Sequence, residues 1–159
     1  MKRIVLLVAL LTAFSLSNFG QVEYSVYENQ RFGFSIDYPS SLLKMMPPPE
    51  NGDGRTFVSD DDTVEMRVWG DNNPQMFDLE TKFQQDWGFH PSAPTYKSLY
   101  KNGYVISSSK KGKITYQKTI CDKADDPAGF YTVTITYPAS RKKEFDPIIK
   151  RIAKSFKFE

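Results

Sequence analysis

Residues 60 to 65, DDDTVE, crowd four carboxylates into six positions, and Asp53 lies a short way upstream. Carboxylate oxygens are hard ligands, so the first chemistry to weigh is Ca²⁺ binding. That ion needs six or more oxygens in set directions. Consecutive side chains on a tight turn point apart, and the spacing of an EF-hand loop is absent. The spacing favours a solvated acidic turn, in which Asp side chains bond nearby backbone amides. Hydrolytic chemistry has less to work with. His90, in WGFHP, is the only histidine, and Cys121 is the only cysteine. A Ser–His or Cys–His nucleophile needs that histidine as its base, and no G-x-S-x-G element precedes a helix. One His and one Cys fall short of a zinc ligand set, and no glycine-rich phosphate loop is present. The residues therefore point to a non-catalytic protein with no cofactor and no resident metal.

Binding chemistry has more to draw on. Trp69 shares its strand face with Arg67 and Glu65, and a tryptophan flanked by charge is a recognised contact for proteins and sugars. Met46, beside Met45 and the run Pro47-Pro48-Pro49, adds a semi-rigid, adaptable loop nearby. The candidate contact set is Trp69, Arg67, Asp60, Asp61, Asp62 and Met46. The competing reading packs Trp69 beneath a helix or the loop, since aromatic residues usually fill cores. A second candidate surface is basic. Between Arg141 and Lys157 stand seven Lys or Arg residues against two acids. Lys150, Arg151 and Lys154 could meet an anionic partner or lipid surface, although a solvated helix face is the commoner use of such charge.

These residues need elements to hold them. Phe32, Phe34, Ile36 and Tyr38 alternate with small or polar residues, which predicts a half-buried strand ended by Pro39. The stretch SSLLKMMPPPENGDG reads as a long, proline-braced loop with two tight-turn pairs. Residues 55–59 and 63–69 read as a hairpin with the three aspartates at its tip. Asn73-Pro74 reads as a helix start, with Met76, Leu79, Phe83 and Trp87 as one apolar stripe ending near Gly88. Strands are expected at 104–109, around Ile114, Tyr116 and Ile120, and over Tyr131, Val133, Ile135 and Tyr137, which alternate with three threonines. Phe145, Ile148, Ile149, Ile152 and Phe156 fall on one face of a closing helix. Pro147 must sit in its first turn or kink it. Hairpins dominate, so the expected fold class is α+β: a single layered domain with a central antiparallel sheet covered by two main helices.

The N-terminus carries an address. Lys2 and Arg3 precede an apolar run from Ile4 to Leu11, too short to span a bilayer, and small or polar residues follow. Residues 1–20 read as a signal peptide, cleaved after Ser17 or Gly20, with no cysteine placed for a lipid anchor. Residues 21–159 then form the domain, expected to be a monomer without a transmembrane segment, secreted or periplasmic. Over that stretch 19 basic residues balance 19 acidic ones. The division is uneven: 5 against 13 up to residue 94, then 14 against 6. A chain with no net basic charge outside the cell is a poor nucleic-acid binder. With no internal disulfide available, the fold must rest on its core, for which 14% aromatic content is ample.

The opening FGFSIDYPSSL and the closing YTVTITYP and FDPIIKRIAKSF resemble PsbP-like domains. The middle, NGDGRTFVSDDDTVEMRVWG, resembles small secreted bacterial proteins with an NGDG loop motif that share those end signatures. The resemblance covers most of residues 27–158 and implies an α/β/α sandwich. It also implies a non-enzymatic subunit or assembly-type role, and it carries no catalytic residue onto this chain. The expected partner is a protein or small ligand in the envelope or outside. The alternatives are an extracytoplasmic enzyme built from scattered polar residues and a protein that binds anionic surfaces.

Overall fold

Period-two alternation is the dominant signal after residue 100, and there it produces long strands. In the computed structural model, which describes residues 21–88, 90 and 93–158, the elements run in a hairpin-rich order. The expected leader at 1–20 lies outside the described residues. Strands β1 (Ser25–Asn29), β2 (Phe34–Tyr38), β3 (Lys44–Met45), β4 (Gly54–Val58) and β5 (Glu65–Asn72) precede helix α1 (Leu79–Gly88). Then come β6 (Pro94–Tyr100), β7 (Gly103–Lys110), β8 (Lys113–Ile120) and β9 (Gly129–Pro138). A short 3₁₀ turn leads into helix α2 (Lys142–Ser155), and β10 (Lys157–Phe158) closes the described chain.

Seven strands form one antiparallel sheet in the order β3-β4-β5-β9-β8-β7-β6. Its register decides which side chains share a face. Met66 lies opposite Ile135, and Val68 opposite Val133; Arg67 lies opposite Thr134, and Trp69 opposite Thr132. One face is thus apolar and the other largely neutral and polar. The apolar face is covered by α2 and by a smaller sheet, β1-β2-β10. Phe145, Ile148, Ile152 and Phe156 from the end of the chain pack there with Phe34, Ile36, Phe57, Met66, Val133 and Ile135. Ring pairs knit this core: Tyr137 stacks on Phe145 at 4.8 Å, and Phe34 meets Phe156 edge-on at 5.9 Å. At the end of α2, Lys118 reaches from the sheet to the carbonyl of Ala153 at 2.5 Å, a cation set against unpaired helix carbonyls. Ser155 Oγ accepts the amide of Asp37 at 2.9 Å, tying the helix end to β2.

The other face is covered only in part. Leu79 and Phe83 of α1 pack on Tyr104, Ile106, Cys121 and Phe130 in a second, smaller cluster. Cys121 is fully buried, and burial pushes its thiol up to about 11.

The α+β class and the central antiparallel sheet with its two helices agree with the sequence reading. Four details differ. The smaller sheet was not expected. Strand β1 is short and mostly exposed, while β6 begins at Pro94 on a sheet edge and shows no alternating burial, so neither carries a strong pattern. Helix α1 starts at Leu79 rather than at Asn73-Pro74. Asn73 does cap, but it caps a turn: its Oδ1 accepts the Phe77 amide at 3.0 Å. Met76 then adopts φ +52°, which no continuing helix allows, and its side chain is 84% exposed and so not part of an apolar stripe. The true cap is Asp78, whose Oδ1 accepts the Thr81 amide at 2.7 Å. Finally, Pro147 lies in the second turn of α2, so the carbonyl four residues earlier lacks its helical partner.

Candidate binding groove

The part of the sheet that α1 leaves uncovered is the floor of a groove of about 650 Å³. Its small polar positions are the outward residues of three strands: Thr56, Thr115, Gln117, Thr134 and Thr136. Cross-strand pairing places Thr115 beside Thr136 and Gln117 beside Thr134. The Thr115 and Thr136 hydroxyls lie 3.0 Å apart. A solvent-facing sheet usually carries Lys and Glu; here the floor is neutral and rich in hydroxyl groups. Backbone donors and acceptors in these central strands are already used in the ladder, so only side chains can meet a ligand.

Strand β5 runs between β4 and β9 and raises its longer side chains from the middle of this floor. Glu65, Arg67 and Trp69 line up at every second residue, as a strand requires. Glu65 and Arg67 form a two-point ion pair, with N–O distances of 2.9 and 3.0 Å. The half-buried Trp69 donates its indole N–H to Asp71 Oδ2 at 2.7 Å, which fixes the ring's orientation. Gly54 faces Trp69 across the β4–β5 pair. A Cβ there would run into the Val68 carbonyl and the Trp69 backbone, so only glycine lets these strands approach.

The proline loop builds a wall. Met46, Pro47 and Pro49 line the groove. The Met46 amide bonds Thr56 O at 2.9 Å, and Arg55 reaches back to Met46 O at 3.2 Å while lying over the Tyr27 ring. Further along, Asn29 bonds Gly52 O at 3.1 Å, Arg31 bonds the Asn51 carbonyl, and the Gly70 amide bonds Asp53 O at 2.9 Å. The loop is pinned at both ends, which is what the connection over residues 46–53 needs to serve as a wall.

His90, half-buried, lies at one end of the groove, where a smaller recess continues past Trp69, Asp71, Lys82, Asp86 and Thr132. Ionisable groups converge here, but they are occupied with one another. Lys82 bonds Asp86 Oδ1 at 2.7 Å. Asp86 Oδ2 takes the Tyr104 hydroxyl and the Gln117 amide, the latter at 2.8 Å. Burial pushes the Tyr104 hydroxyl far up, with the Asp86 carboxylate adding to the shift, so it stays a donor.

Of the residues singled out from the sequence, Trp69, Arg67 and Met46 meet in this groove. The three aspartates do not line it. Asp60 pairs with Lys44 at 2.7 Å. Asp61 Oδ1 accepts from Ser59 Oγ, Thr63 Oγ1 and the Thr63 amide, at 2.6, 2.8 and 3.1 Å. The Ser59 bond first, then those from Thr63, hold its carboxyl at about 2. Asp62 takes the left-handed conformation that closes the hairpin. Among the described residues, no group of three His, Cys, Asp or Glu side chains is placed to hold a metal ion. On α2, Lys150 and Lys154 are exposed, whereas Arg151 bonds Asp37 at 2.9 Å and lies over the Tyr24 ring at 3.9 Å. The floor residues were absent from the candidate set. The threonines alternating through YTVTITY were the available signal: they mark a polar face without charge.

No protein-family model and no curated protein matches this chain. Solved structures do. The solution structure of cyanobacterial PsbP from Synechocystis sp. PCC 6803 superposes with a TM-score of 0.63 over 91% of this chain and 98% of that one, at 10% identity. The Ran-binding protein Mog1p of Saccharomyces cerevisiae superposes with a TM-score of 0.57 over 87% and 96%, at 9% identity. The chain has a PsbP-like fold. No helix among the described residues is long and apolar enough to cross a membrane.

Proposed function

We propose that the protein is an exported, non-catalytic binding protein that works through contact with a protein or small ligand in the envelope or outside the cell. The contact surface is the groove between the proline loop and the open face of the sheet. The observation that carries this reading is the groove itself: an oriented tryptophan and a pinned proline wall around a neutral floor. Rigid aromatic anchors beside adaptable polar groups are what binding sites use. The fold it shares is also used by a protein named for binding Ran. Export rests on the sequence of residues 1–20, and mass determination of the mature N-terminus in envelope fractions tests it; a start after Ser17 or Gly20 is expected.

Capture from envelope extract tests the surface. Wild type and Lys154→Glu should recover the same partner, and Trp69→Ala should lose it. Equal recovery by all three places the contact elsewhere.

The enzyme reading is weaker for a specific reason. The groups that converge at the groove's end satisfy one another: Asp86 has both oxygens engaged, and Tyr104 is held protonated. Of the anionic-surface candidates, Arg151 is engaged by Asp37, while Lys150 and Lys154 stay exposed. Sedimentation with anionic liposomes should show no salt-sensitive binding.

A further inference from the structure

The groove's chemistry points to a class of ligand, and this inference rests on the binding reading above. We propose that the groove takes a neutral saccharide, stacked on Trp69 and hydrogen-bonded to the threonine–glutamine floor.

Charge is the first argument. Asp53 and Glu65 are balanced by Arg55 and Arg67 in the lining, and Glu65 and Arg67 pair with each other. Nothing in that set selects for a charged ligand. Shape is the second. The indole N–H is tied to Asp71, so the ring is held in a fixed orientation in the groove that it lines with Pro47 and Pro49. Such a platform suits the apolar face of a pyranose, which needs a flat aromatic partner and no deep apolar pocket. The floor is the third. Hydroxyls of Thr56, Thr115, Thr134 and Thr136 donate and accept, matching ligand hydroxyls that do both.

Gln117 supplies the fourth argument. The Asp86 carboxylate pairs with Lys82 and accepts from its neighbours. The Gln117 amide nitrogen must therefore face it, and it also reaches Thr119 Oγ1 at 3.3 Å. Both N–H groups are used, which leaves Oε1 as the end of the amide available to the groove. Asp86 is thus a positioning residue: with Lys82 and Tyr104 it aims a fixed acceptor at a ligand hydroxyl. Apolar side chains laid on this floor would leave that acceptor and the Thr56 and Thr134 hydroxyls without partners, a cost that favours the hydroxyl-rich ligand.

Calorimetric titration of the full chain with neutral cello-, malto-, xylo- and chito-oligosaccharides, alongside a proline-rich peptide of similar length, tests this. One saccharide series should bind saturably. Trp69→Ala should weaken it about thirtyfold, as loss of an aromatic anchor does, while Trp69→Phe retains much of the affinity. Thr134→Val, near-isosteric and suited to a strand, should weaken binding about fivefold with an unchanged melting temperature. Asp86→Asn should weaken the parent sugar but not the analogue lacking the hydroxyl that Gln117 accepts; a merely structural loss would weaken both alike. Peptide binding that Trp69→Ala abolishes, with no sugar binding, overturns the saccharide and keeps the groove. Sugar binding indifferent to Trp69→Ala and Thr134→Val overturns the saccharide site in this groove, and so does the absence of all binding at millimolar ligand, whereas the groove reading itself falls only if capture is equal with Trp69→Ala.

Discussion

Asp61 shows how a residue that invites a chemical reading can be fully used by the fold. Its Oδ1 collects three hydrogen bonds within the β4–β5 turn. They lower its folded pKa to about 2, below the ordinary value of 3.8. A carboxyl with a depressed folded pKa contributes stability above the ordinary value, and loses it as pH falls through the folded one. Acid titration of the melting temperature should therefore show a steeper fall between about pH 4 and 2 in wild type than in Asp61→Asn. Parallel curves would remove Asp61 from the account of acid stability. Trp69 illustrates the converse. Its type and its shared face with Arg67 were legible in the sequence, because strand periodicity is reliable over seven residues. Its role as an oriented platform was not, because Asp71 holds the ring through one hydrogen bond that no spacing predicts.

Elements divide the molecule into a sealed side and an open side. Helix α2 seals the apolar face, and its stripe was readable from residues 145–156 because an uninterrupted 3.6 period specifies one buried side. Helix α1 covers only part of the opposite face, and its start was misplaced because Asn73-Pro74 imitates a cap while Met76 turns left-handed. Ile152→Ala and Phe83→Ala should both destabilise by about 2–5 kcal/mol, measured by denaturant unfolding. Only Phe83→Ala should also weaken ligand binding at a temperature where both variants are folded, since α1 carries Lys82 and Asp86. Equal effects on binding would deny that the two faces act separately. Strand approach is tested at Gly54. Gly54→Ala forces a methyl against the Val68 carbonyl and should cost about 1–3 kcal/mol or more, with groove binding reduced as β4 shifts from β5. A neutral substitution would mean that the β4–β5 pair yields easily.

At the scale of the whole molecule, the α+β class followed from counting hairpins and stripes, whereas the groove did not. Its floor is assembled from β4, β5, β8 and β9, which are distant in sequence and adjacent only after the sheet has formed in the order β4-β5-β9-β8. No local pattern encodes that juxtaposition; register does. The smaller sheet escaped for a related reason, since β10 is two residues long and pairs with β2 from the far end of the chain. The Arg151–Asp37 pair joins the basic end of the chain to its acidic beginning, whereas pairs such as Lys44–Asp60 and Arg141–Glu144 form within one half and leave the bipolar charge visible in the sequence in place.

The central claim is that the open face of the sheet is where this protein meets its ligand. Site-specific photocrosslinking in the producing cell tests it most directly, with the reactive side chain placed at Thr134 on the groove floor or at Lys154 on the outer face of α2. The account predicts a discrete adduct from position 134 that disappears when Trp69→Ala is combined with it, and none from position 154. An adduct from position 154 alone, or one from position 134 that persists without the Trp69 ring, would contradict it.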